Sequence, residues 1–143
     1  MKTKNILLVI IAFITLISIA PSCKKYEDGP AISLRTKKAR LCGDWKIESS
    51  SFDGVDITSA LNANFGWNIE KDGTYQIVAA STATGTMNSS GKWKFGEDKD
   101  DVYLTDGASG LEMAYRILRL ANKELWVRYT TSDGKFLIYK FKQ

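Results

Sequence analysis

The chain has 143 residues, 44% of them hydrophobic and 25% charged, with 20 Lys+Arg against 16 Asp+Glu for a formal net charge of +4. That length suits one domain, and the globular composition excludes a collagen-like, low-complexity or wholly disordered chain. There is no histidine and there are only two cysteines, which excludes Ser-His-Asp and Cys-His catalysis, His-bearing zinc sites, a Cys₄ site and a disulfide framework.

Residues 1–22 read as an export signal. Lys2 and Lys4 precede an uncharged run of 15 residues from Ile6 to Ala20, which ends in the small-residue stretch Ala20-Pro21-Ser22. Fifteen residues at 1.5 Å each reach about 22 Å against a hydrocarbon core of roughly 30 Å, so a cleaved signal is expected rather than a permanent span. Ser22-Cys23 resembles the lipobox of bacterial lipoproteins. The resemblance implies acylation of Cys23, a membrane partner through an N-terminal lipid anchor, and residence at the outer membrane of the cell envelope. Periplasmic and surface-facing placements both stand, because Lys24 and Lys25 follow the cysteine and Glu27 and Asp28 come only later.

After the cysteine, residues 23–40 read as a tether. Six basic and two acidic side chains share the segment with no sustained apolar period, and Gly29-Pro30 interrupts any regular element. Its charges either touch anionic head groups, at around 1 kcal/mol each near such a surface, or belong to a solvated spacer.

From residue 41 to 143 the hydrophobic period is two. Leu41, Gly43, Trp45 and Ile47 alternate with Asp44, Lys46 and Glu48; Phe65, Trp67 and Ile69 repeat the pattern. Gly91, Trp93 and Phe95 alternate with lysines, and Met113, Tyr115 and Ile117 and then Leu125, Val127 and Tyr129 continue. Asp-Gly recurs at positions 53, 72, 106 and 133, and Asn122-Lys123 serves a further tight turn. Asp-Gly favours type I′ hairpins, which need positive φ at both central residues. Eight strands are predicted, at 42–52, 65–71, 73–80, 90–96, 100–105, 111–120, 123–130 and 135–142. Hairpin-only connections predict an all-β fold, a small eight-stranded antiparallel up-and-down barrel.

Three places depart from a plain meander. The stretch 53–64 is too long for a hairpin loop and reads as a lid-like segment over one barrel mouth, with Thr58 or Ser59 capping a short helical turn through Leu61. Ile117, Leu118 and Leu120 put apolar groups on both faces, which predicts a bulge near 116–118. The last strand, Phe136 to Phe141, is apolar on both sides, so its outer face packs on the lid or tether or forms an association surface.

Leu41-Cys42-Gly43-Asp44-Trp45 resembles the Gly-x-Trp opening strand of lipocalin-type barrels, and Asn68 to Tyr75 is similar to the hairpin of the small lipocalin-like domains of Bacteroidetes-type lipoproteins. Gly91 to Phe95, the stretches around Tyr115 and Trp126, and the entry segment Lys25 to Leu41 resemble the same family. The resemblance implies a lipocalin-like barrel and binding without catalysis; it carries no catalytic residues and no cofactor.

Trp45, Trp67, Trp93, Phe95 and Tyr115 share the inward parity of their strands. They either line a pocket for a small hydrophobic ligand or fill the interior, since eight strands leave room for side chains or one small ligand. The run Glu97 to Asp101 lacks calcium-loop spacing, carries a lysine and reads as a solvated hairpin; Asp100 and Asp101 are expected on opposite faces. Cys42 is expected outward or at the rim as a partly covered, inert thiol, with an exposed reactive one as the alternative. The barrel carries twelve basic and fourteen acidic side chains. The basic balance therefore belongs to the signal and tether, and no nucleic-acid surface is implied.

The function expected is that of an envelope lipoprotein binding a small hydrophobic ligand without catalysis. The alternative is a structural or protein-interaction module with a packed core and function on its outer surface. The two differ in whether the barrel interior is open.

Overall fold

A computed structural model describes residues 35–60, 64–82 and 85–143. The export signal, Cys23, the first part of the tether and Leu61 lie outside these residues. The described residues form one helix, α1 (Lys37–Leu41), and nine strands: β1 (Gly43–Phe52), β2 (Val55–Asp56), β3 (Gly66–Ile69), β4 (Thr74–Thr82), β5 (Gly85–Phe95), β6 (Asp101–Asp106), β7 (Glu112–Leu120), β8 (Glu124–Thr130) and β9 (Phe136–Lys142). Strands β3 to β9 follow one another round the sheet, every pairing is antiparallel, and β9 closes on β1. The result is a closed eight-stranded up-and-down barrel with β2 as an extra strand.

Closure depends on β1. Its first four residues pair with β3, Trp45 opposite Trp67, while Lys46 to Phe52 pair with β9. On the edge that β3 leaves, β2 pairs with Ser51 and Phe52. Register shifts at Ile47/Ser49, Val78/Ser81 and Ile117/Arg119 mark bulges that bend the strands into a cylinder; the last is the bulge expected from the sequence. Gly91 permits a tight approach between β5 and β6, because a Cβ there would stand 1.9 Å from the Thr105 carbonyl oxygen.

The turns correct one expectation. Only Asp53-Gly54 has positive φ at both positions, 50° and 84°, and it joins β1 to β2. At 71–73 and 132–134 the loops have three residues, with the glycine alone at positive φ. There the aspartate works through its carboxylate, as Asp72 does by accepting from Thr74 N at 2.9 Å. The expected lid-like segment is corrected in its first half only. Its first half is the β2 ladder, followed by a 3-10 turn at Thr58–Ala60, and Thr58 Oγ1 accepts from Ser50 N at 2.9 Å, which staples the segment to β1.

The tether's last residues are ordered by the barrel. Thr36 caps α1, its hydroxyl accepting from Ala39 N at 3.1 Å. The helix drops Leu41 into the barrel floor and brings Arg40 Nη1 within 2.6 Å of the Leu120 carbonyl oxygen. Trp45 Nε1 then donates to Leu41 O at 2.7 Å. One end of the barrel is thereby plugged, and the other, where β1, β4, β6 and β8 end, is the mouth.

Candidate functional site

The barrel interior divides into a packed floor and an upper part, the chamber, which is lined by aromatic rings and whose inward residues are in part only half-buried. At the floor Leu41, Trp45, Leu104, Leu120, Leu125 and Val127 are all 0–1% exposed. Trp93 and Phe95 also belong to the plugged end: their rings meet edge to face at 5.3 Å, Trp93 Nε1 donates to Glu70 O at 2.8 Å, and Lys38 of α1 stands 6.0 Å from the Trp93 ring. Of the five aromatic residues singled out in the sequence, Trp45, Trp93 and Phe95 are therefore spent on the floor. Trp67 and Tyr115 do meet, edge to face at 4.9 Å.

These two belong to a six-ring cluster whose other members the parity argument left out. Trp67 lies 4.9 Å from Phe141, Phe65 lies 5.3 Å from Tyr139, and Tyr115 lies 5.6 Å from Tyr129. Tyr129 shares the period of Val127 already read in the sequence; the missed signal was the period of the last strand, which puts Tyr139 on the face of Phe141. Ile77 and Tyr139 sit well inside their strands and face inward, opposite Trp67 and Val127, yet both are only half-buried, as are Met113 and Tyr129. Solvent thus reaches the upper half of the barrel, where the walls are aromatic.

Apart from Asp106 at the mouth, the polar groups of the chamber among the described residues are neutral donors and hydroxyls. Trp67 Nε1 and Ser50 Oγ are buried without a partner among the described residues. An orphaned buried donor of this kind costs about 1–3 kcal/mol, which an acceptor in the chamber would restore. Tyr75 donates to Ser89 Oγ at 3.2 Å, and Ser89 donates to Asp106 Oδ2 at 2.8 Å at the mouth. Asp106 is held at about 2 by hydrogen bonds from the Ser109 hydroxyl and backbone, with Ser89 adding to them. Burial, and then the neighbouring phenols of Tyr139, Tyr129 and Tyr75, raise Tyr115 above the ordinary tyrosine value; burial raises Tyr139. Among the described residues Asp106 is the one charged group facing this chamber, and the stretches 60–63 and 79–87 contain no charged residue type. The arrangement suits a neutral apolar molecule bearing a hydrogen-bond acceptor.

Elsewhere, the described residues hold no cluster of three or more His, Cys, Asp or Glu side chains placed to bind a metal ion. The run Glu97 to Asp101 forms the turn into β6, and Asp100 pairs with Lys37 at 3.4 Å. Asp100 and Asp101 do not diverge as expected: both meet the Arg116 guanidinium, at 3.8 and 3.5 Å, because Asp100 is still in the turn and strand alternation begins only after it. Cys42 caps the C-terminus of α1 half-buried against the core, and burial pushes its thiol up, the condition of an inert thiol. A broad groove of about 890 Å³ lies outside the barrel, where Asn68, Gln76, Ser90, Lys92 and Thr105 face solvent over Gly91.

The fold and chamber together define a lipocalin-like barrel. Among solved structures, the chain is similar to a lipocalin-like protein from Bacteroides uniformis, at 13% identity and a TM-score of 0.55, covering 73% of this chain and 98% of that one. It is also similar to an uncharacterized protein from Bacteroides eggerthii, at 14% identity and a TM-score of 0.52 over 71% and 98% of the two chains. A redesigned beta barrel matches at 14% identity and a TM-score of 0.52 over 78% and 98%. No family model and no curated protein matches the chain. At these identities the likeness is one of fold.

Proposed function

We propose that this chain is a lipid-anchored, non-catalytic binding protein of a Gram-negative cell envelope, whose barrel takes one small neutral hydrophobic molecule into the aromatic chamber around Trp67, Tyr115 and Tyr139. The observation that carries the reading is the pair of buried, unpartnered polar groups, Trp67 Nε1 and Ser50 Oγ, in a chamber that solvent still reaches. A bound acceptor satisfies the indole N–H and the rings supply apolar contact on either side. The lipocalin-like fold supports this use of the interior. The anchor rests on Cys23 at the end of the apolar run. Absence of catalysis is part of the proposal; among the described residues the chamber's groups are rings and hydroxyls, with Asp106 at the mouth the one carboxylate, its oxygens engaged by Ser109 and Ser89.

Native mass spectrometry of protein purified from its own host tests the binding reading. A ligand-bearing mass is expected in the native protein, reduced at least ten-fold in occupancy by Trp67→Phe, since 1.4 kcal/mol is a factor of ten. An apo mass in every preparation overturns it. Mass spectrometry of the mature N-terminus tests the anchor; a cleaved but unacylated Cys23 overturns that part alone.

The outer groove favours a second reading, an interaction module acting through its surface. If Lys92→Glu and Gln76→Ala abolish the biological activity of the host protein while Trp67→Phe leaves it intact, this second reading replaces the first.

A further inference from the structure

On the outer face of β8 and β9, cations and apolar groups alternate in direct cross-strand pairs: Trp126 opposite Lys140, Arg128 opposite Ile138, Thr130 opposite Phe136. Lys140 Nζ stands 4.2 Å over the Trp126 ring and the Arg119 guanidinium carbon 5.4 Å from it, while that of Arg128 lies 4.9 Å from the Phe136 ring. Arg119 is neutralised by Glu124 at 2.6 Å, and Lys142 is paired with Glu48. Among the described residues neither Arg128 nor Lys140 has a carboxylate partner. Beneath them, Trp126 Nε1 and Arg128 Nε are buried donors without an acceptor. Two unneutralised cations thus stand beside an indole and aliphatic surface, the combination that favours the boundary between head groups and acyl chains.

Two further observations identify what this face meets. The chain enters the described structure at Arg35, which is hydrogen-bonded to Asn122 in the turn joining β7 to β8, directly beside Arg119 and Trp126. Only residues 24–34 separate that point from Cys23, a reach of about 40 Å at full extension. The mouth is of opposite character: its connections carry Asp53, Asp56, Asp106 and Asp133 against Lys135, so an anionic surface repels it. We propose that the outer face of β8 and β9, through Trp126, Arg128 and Lys140, docks on anionic phospholipid head groups, laying the barrel on its side at the membrane with the mouth free. The point of chain entry bears on the face only through the proposed anchor at Cys23; the ring and charge geometry stands without it, and neither needs a ligand in the chamber.

The test uses residues 24–143, which include α1, all nine strands and every buried core residue, without the acyl chains. Floatation with mixed phosphatidylcholine–phosphatidylglycerol vesicles is expected to recover the protein, with little recovery on pure phosphatidylcholine. Each cation contributes roughly a five-fold gain in partitioning, so Arg128→Gln/Lys140→Gln is expected to weaken it about 25-fold, while Arg128→Lys/Lys140→Arg keeps it. Near-ultraviolet circular dichroism checks that the Gln variant is folded, and a Lys24→Gln/Lys25→Gln variant separates the tether's contribution. Unchanged floatation of the folded Gln double variant, loss of binding in the tether variant alone, no binding by the parent protein, or preferential binding of polyglutamate over vesicles would each overturn the proposal. None of these outcomes bears on ligand occupancy or on acylation of Cys23.

Discussion

The two halves of the barrel are built from the same residue types and are used differently. At the floor, Trp45 hydrogen-bonds Leu41 O and is 1% exposed, locked by α1. In the chamber, Trp67 is equally buried but its indole N–H has no acceptor among the described residues. The floor spends its aromatic groups on stability and satisfies them; the chamber leaves hydrogen-bonding capacity unspent. Burial alone does not distinguish a structural tryptophan from a binding one, whereas the fate of its N–H does.

Truncation at the floor is expected to produce the largest loss. Trp45→Ala removes a fully buried ring and its hydrogen bond, and should destabilise the fold by about 3–5 kcal/mol; Leu41→Ala should cost about 2–5 kcal/mol by opening a cavity under α1. Urea denaturation followed by circular dichroism measures both. A cost under 1 kcal/mol for Leu41→Ala would show that α1 is an ornament and the floor is sealed without it.

Trp45→Phe and Trp67→Phe remove the same atoms from equally buried sites, but only the first breaks a hydrogen bond and strands a carbonyl. Trp45→Phe should therefore be the more destabilising by about 1–3 kcal/mol, and Trp67→Phe the more damaging to ligand occupancy. Equal losses of stability would mean that the Trp67 N–H is satisfied in the free protein and that the chamber has no unspent donor.

Alkali should affect the chamber before the floor. Tyr115 and Tyr139 hold their protons above the ordinary tyrosine range because burial disfavours the phenolate. Their contribution to stability is complete below the unfolded value near pH 10 and is lost as the pH rises beyond it. Ultraviolet titration should show the Tyr115 and Tyr139 phenolates appearing only as the barrel unfolds. Titration of every tyrosine in one reversible step would deny the chamber its burial.

Much of this architecture was legible in the sequence because a half-buried strand writes its two faces into alternate residues. Trp45, Trp67, Trp93 and Tyr115 were placed inward by that period, and the bulge at 117–119 announced itself where two apolar residues broke it. What a neighbour imposes was not legible. Thr36 to Leu41 contains one aliphatic residue of any size, so no helical period marks α1; the helix exists because Leu41 and Arg40 find partners in the floor. The aspartates of Asp72-Gly73 and Asp133-Gly134 signalled turns but not their length, since a carboxylate bonding two residues onward serves a three-residue loop as well as a two-residue one. Phe65, Tyr129 and Tyr139 had inward parity too, but parity says only that a side chain points inward; which inward residues share a level depends on the stagger of the closed barrel.

The smallest effect is expected at the mouth, where Asp106 fastens the connection from β6 to β7. Its carboxylate accepts from Ser109 N and Oγ, each at 2.7 Å, and from Ser89, and is held at about 2 in consequence. A carboxylate stronger as an acid in the folded than in the unfolded chain stabilises fully above its unfolded value near 4, and the contribution disappears as the pH falls through about 2. Asp106→Asn keeps one acceptor oxygen but loses the charge, so the variant's stability should be flatter than the parent's over that window while the two converge at its acid end. Because Ser89 relays this bond to Tyr75, the variant should also free a hydroxyl on the chamber wall and slightly alter ligand retention. Parallel acid-unfolding curves for parent and variant would place Asp106 outside the energetics of the mouth and leave the turn to its backbone.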